Sequence, residues 1–157
     1  MNNNSSSEIK DALLHLNNEL AEMQKFVALL TSEQQSLLNN DTDSLLALSD
    51  AKTRAVSQLT EMGSSRRKAL LTNSTDTMEK WAAQHAPNSL AVWSNIRKLA
   101  AQAQQLNSTN GELIHSRMRS NQQALNVLYT ASKNAAGLYG ADGQANISST
   151  GRHLGSG

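Results

Sequence analysis

At 157 residues the chain is long enough for one domain and too short for three; 38% apolar but only 3% aromatic residues suit long, thin helical packing rather than a thick core. A formal net charge of +1 gives no large field to attract nucleic acid or anionic lipid, and the absence of cysteine excludes disulfides, thiolate catalysis and cysteine metal sites. No apolar run nears the ~20 residues that span a bilayer, and "MNNNSSSEIK" has no basic segment followed by an apolar one, so a cytoplasmic protein without direct membrane insertion is expected.

The first element opens with Ser5-Ser6-Ser7-Glu8, a pattern in which Ser5 and Glu8 form a capping box. Ile9, Leu13, Leu16, Leu20, Met23, Val27 and Leu30 then alternate spacings of four and three, a heptad stripe that holds phase to Leu37. Asn39-Asn40-Asp41 is a polar triplet suited to a helix–helix turn. A second helix starts on Asp41 or Asp43, and Leu45, Leu48, Ala55, Leu59 and Met62 continue a heptad that Lys52 and Arg66 interrupt. The short link makes this helix run back along the first.

"STDTMEKWAAQHAP" reads as a short capped helix that stops before Pro87, after which Asn88 or Ser89 caps the longest helix. Leu90, Trp93, Ile96, Leu99, Ala103 and Leu106 form its first stripe. Beyond Asn110-Gly111 the stripe becomes Ile114, Met118, Asn121, Leu125 and Leu128, a four-residue stutter that rotates the apolar face. From Ala135 onward Gly, Ser, Asn and Thr dominate, and the glycines at 137, 140 and 143 oppose a helix.

The expected fold is therefore all-α: an elongated antiparallel helical hairpin plus a long third helix, coiled-coil-like, with a disordered C-terminal tail. Residues 1–134 form the bundle, with helices over about 6–38, 42–72, 75–85 and 89–132, and residues 135–157 form the tail.

Chemistry-bearing constellations are not found. His15, His85, His115 and His153 never take the i, i+4 spacing of a helical metal site, no Gly-x-Ser-x-Gly elbow occurs, and no glycine run ends in Lys-Ser/Thr. The chain is expected to be no enzyme and to need no cofactor or metal. Arg66, Arg67 and Lys68 lack neighbouring basic clusters and stacking aromatics, so they read as a solvated helical face and not as a nucleic-acid site.

Two features stay open on the residues alone. Leu113, Ile114, Met118, Leu125, Leu128 and Tyr129 are either internal packing or a helix-recognition surface. Leu138 and Tyr139 either fold back on the bundle as a lid or dock on a partner. Their burial yields ~1.5–3 kcal/mol each, against ~1–2 kcal/mol for each flanking residue ordered, so the pair cannot order the tail unaided.

"LNSTNGELI" (106–114), "NQQALNVLY" (121–129) and "LYGADGQ" (138–144), preceded by Trp93, resemble the C-terminal half of the FlgN family, flagellar type III export chaperones for the hook–filament junction proteins. The resemblance covers roughly residues 93 to 144; the hairpin before it agrees in pattern only. It implies a cytoplasmic chaperone that binds the helical C-terminal segments of FlgK and FlgL, keeps them unassembled and delivers them to the export gate. It implies cargo binding on Leu113, Ile114, Met118, Asn121, Leu125 and Leu128. It implies docking of Leu138 and Tyr139 to the cytoplasmic domain of the gate protein FlhA. A structural coiled-coil adaptor without an export client is the competing reading; a nucleic-acid regulator acting through Arg66 to Lys68 is a remoter one.

Overall fold

The computed structural model describes the backbone of residues 2–72 and 77–138, and side chains over 6–70 and 77–135. It contains α1 (Asn2–Asn39), α2 (Thr42–Thr72), α3 (Met78–His85) and α4 (Ser89–Leu138), and no strand among the described residues. The chain divides into two compact units, the first running to Ile114 and the second starting at His115, within α4.

The α1–α2 corner shows why a polar triplet makes a tight hairpin. Asn40 adopts φ 59°, a left-handed conformation that Asn tolerates better than most residues. It lets the Asp41 amide donate to the Ser36 carbonyl at 3.0 Å, which closes the end of α1 in a Schellman turn. Asp41 then caps α2, accepting from the Ser44 amide and the Ser44 hydroxyl. The Ser44 hydroxyl and amide bonds hold the Asp41 carboxyl below its ordinary value.

At its other end α1 begins at Asn2, so Ser5 lies inside the helix and not at a capping box. The strongly periodic stretch from Ile9 to Leu37 supplies a nucleus, and extending it costs little per residue even through Asn and Ser.

Two apolar clusters hold the first unit. Leu16, Leu70, Met78, Trp81, Ala82, Ala86 and Ile96 join all four helices, with Ile9, Leu13, Leu20 and Trp93 partly buried against them. Val27, Leu30 and Ala103 form the second, with Phe26, Leu99 and Leu106. Ile96 thus clusters with Leu16, and Ala103 with Val27 and Leu30, so α4 rises parallel to α1 while α2 descends. α3 fills the end where α2 finishes and α4 starts. Its Thr77 Oγ1 accepts from the Lys80 amide, and Met78, Trp81 and Ala82 are buried. His85 stacks on Trp81 and donates through Nδ1 to the Trp81 carbonyl at 3.0 Å.

The heptad interruptions of α2 turn out to be structural. Lys52 donates to both oxygens of Glu33 at 3.1 and 3.0 Å. Arg66 donates to Glu19 through Nε at 2.9 Å and Nη2 at 3.2 Å. Both glutamates are buried. The Arg66 guanidinium also lies over the Trp93 ring, 4.4 Å from its centroid. This corrects the expectation of a solvated face: Arg67 and Lys68 are exposed, but Arg66 points into the bundle. The register is legible in the numbers, since each ion pair joins residues two heptads from the next pair on both helices.

Removing one partner of a buried pair strands the other charge, which costs about 3 kcal/mol. Arg66→Ala should therefore lower the unfolding free energy by about 2–3 kcal/mol in urea denaturation, whereas Arg67→Ala should change it by less than about 0.5 kcal/mol. Equal effects would contradict the assignment.

Candidate partner-binding face on α4

α4 is anchored at its start. Ser89 is buried and its hydroxyl donates to the Ala86 carbonyl at 2.7 Å, fastening the turn made by Pro87 and Asn88. One turn on, Trp93 donates its indole N–H to Glu79 at 2.8 Å, and Arg97 donates to the same oxygen at 2.9 Å. The indole hydrogen bond, with the backbone amide of Glu79 and the Arg97 charge, holds the Glu79 carboxyl below its ordinary value. Glu19, Arg66, Trp93 and Glu79 thereby connect α1, α2, α4 and α3 in one polar chain.

The inward stripe of α4 continues through Ile96, Leu99, Ala103 and Leu106 to Asn110. Asn110 is fully buried. Its amide donates to the Leu30 carbonyl at 2.9 Å and to Glu33 at 2.7 Å, which makes it the third member of the Glu33–Lys52 cluster. Its Oδ1 has no hydrogen-bond partner among the described residues. Leu113, one turn further, is half-buried.

There the apolar positions leave the buried stripe. Ile114 is 40% exposed, Met118 62%, Leu125 60% and Leu128 66%. Asn121 is exposed between them, and every side chain from Met118 to Ala135 is exposed. Ile114, Met118, Asn121, Leu125 and Leu128 follow one another at four, three, four and three residues, so they share one side of the helix. Leu113 is out of phase with them by about 100° and continues the inward stripe. Tyr129 borders the exposed side, and Val127, also exposed, lies across the helix from it. Among the described residues, no side chain packs against this apolar stripe from Met118 onward.

α4 remains helical through Gly137 to Leu138, past Ala135, where the sequence places the start of the tail. Ala131, Ala135 and Ala136 have the highest helix propensity, and one glycine near a helix end removes only ~1 kcal/mol. Leu138 is the last helical residue and its side chain lies outside the described residues, as does Tyr139 altogether. His15, His85 and His115 are exposed, and His153 lies outside the described residues. Among the described residues, no group of three His, Asp or Glu is placed to hold a metal ion. No described helix is long and apolar enough to cross a membrane.

Gly111 sits at the junction between the two stripes, and a Cβ placed on it would meet nothing within 4 Å. No packing constraint therefore explains a residue that weakens the helix there. Gly111→Ala should raise stability by about 0.5–1 kcal/mol, read as a higher denaturation midpoint. A loss of stability would show that the space beside Gly111 is filled in solution.

A comparison with curated proteins and with solved structures finds no match to the chain. The family model described as FlgN protein matches residues 1–147, which takes in the hairpin, α3 and all of α4. The chain belongs to the FlgN family of flagellar export chaperones.

Proposed function

We propose that the chain binds the C-terminal helical segments of the hook-associated proteins FlgK and FlgL in the cytoplasm, keeps them unassembled and delivers them to the type III export gate. The observation that carries this reading is the stripe of exposed apolar side chains on α4, from Ile114 to Leu128. An assembly segment that is itself an amphipathic helix presents a matching stripe, and pairing the two removes both from water. Ile114, Met118, Leu125 and Leu128 supply the apolar contact, Leu113 its inner edge, and Asn121 a polar position that sets register, as a single core Asn does in coiled coils.

Leu138 and Tyr139, which follow this face in sequence, are assigned to docking on the cytoplasmic domain of FlhA. The large apolar pair, set in a glycine-punctuated stretch, suits a short docking peptide. Its intrinsic affinity is low for the entropic reason given above, and bound cargo strengthens it if the two contacts act together. The role is one of binding throughout, with no catalytic step.

Calorimetry of the full chain against the purified C-terminal helical segment of FlgK tests the division of labour. One-to-one binding is expected. Leu125→Ala should weaken it at least about tenfold, the equivalent of losing one buried leucine contact, and Tyr139→Ala should leave it unchanged. Absence of binding to both the FlgK and FlgL segments would sink the cargo assignment and leave a coiled-coil adaptor in its place.

A further inference from the structure

The exposed part of α4 has a charge pattern that the whole-chain balance hides. Between Leu113 and Leu138 lie Arg117, Arg119 and Lys133 and no carboxylate, whereas residues 1–112 hold 12 acidic and ten basic side chains. Arg119 and Lys133 are exposed and Arg117 is half-buried, and none of the three makes an ion pair among the described residues. At about 100° per residue, Arg117 falls roughly 60° to one side of the stripe formed by Met118, Asn121, Leu125 and Leu128. Lys133 falls about 100° to the other side, with Arg119 further round. The apolar seam is thus bordered by positive charge on both sides.

A second copy of this chain is a poor mate for that face, because either orientation sets cations against cations with no carboxylate to answer them. We infer that the face takes an amphipathic helix whose apolar stripe is bordered by Asp and Glu. This rests on the cargo site proposed above and adds the chemistry by which that site chooses. Exposed ion pairs each contribute little. The apolar seam therefore holds the partner, and the flanking charges discriminate among amphipathic helices and speed the encounter.

The test uses the full chain and two synthetic amphipathic peptides with the same leucine stripe, one bordered by Glu and one by Lys. Binding is read by fluorescence anisotropy at about 0.05 M and about 0.5 M salt, where screening lengths differ severalfold. The Glu-bordered peptide should bind about tenfold more tightly at low salt, and the preference should fall below about twofold at high salt. A triple variant, Arg117→Gln with Arg119→Gln and Lys133→Gln, should bind both peptides equally while keeping the circular dichroism of the unaltered chain. Leu125→Ala should weaken both peptides. Equal affinities in the unaltered chain, or preference for the Lys-bordered peptide, would overturn the charge inference while a Leu125 effect leaves the cargo site standing. Binding that ignores Leu125→Ala, or no binding of either peptide, would overturn both. A concentration-dependent dimer in sedimentation that Leu125→Ala abolishes would make the mate a second copy and overturn the inference.

Discussion

Glu19 and Glu33, buried in the seam of α1, fix how the hairpin can close. A carboxylate on an otherwise leucine-rich stripe is tolerated only where a cation meets it, and the cations are Arg66 and Lys52 on α2. Apolar heptads alone accept several registers at similar cost, because one leucine replaces another. Sliding α2 by a heptad strands two carboxylates and two cations, at about 3–5 kcal/mol for each broken pair. A whole domain has only about 5–15 kcal/mol of stability, so the shifted register cannot compete. The pairs therefore contribute specificity more than net stability.

The same residues bring in the remaining helices. Arg66 lies over Trp93, which donates to Glu79 on α3; Glu33 accepts from Asn110 on α4. The first unit is thus closed near each end of the ion-paired stretch by a polar contact from α4; Val27, Leu30 and Ala103 lie between the two pairs, and the cluster around Leu16 and Leu70 lies beyond Glu19 and Arg66. Among the described residues Asn110 is the last buried one of α4, and the apolar positions change phase immediately after it. Buried and exposed apolar stripes consequently occupy successive lengths of one helix.

Much of this was legible in the sequence. Alternating spacings of four and three gave the helices and the hairpin, Asn39 to Asp41 gave the corner, and the stutter after Gly111 gave the turn of the apolar face. The polar seam was not read correctly. Lys52 and Arg66 interrupt the apolar heptad because their partners, Glu33 and Glu19, stand on another helix, beyond the reach of spacing within α2. The matching separation of Glu19 from Glu33 and of Lys52 from Arg66 was the available signal, and Arg66 was masked by standing next to Arg67 and Lys68. The capping box at Ser5 failed because helix extension from a long nucleus overrides a local cap. The cations around the exposed stripe were hidden by a net charge near zero, which averages over segments of opposite sign.

In the function proposed above, α4 serves the bundle up to Leu113 and a partner beyond it. Hydrogen exchange on the full chain, alone and with the FlgK C-terminal segment, tests it most directly. In the free protein, amides from Val92 to Leu113 should be strongly protected and those from Ile114 to Ala135 should exchange much faster, because no packed face opposes their opening. Cargo should then protect Ile114 to Leu128 and leave Val92 to Leu106 unchanged. Equal protection of the two halves in the free chain, or a cargo footprint confined to residues before Leu106, would contradict the account.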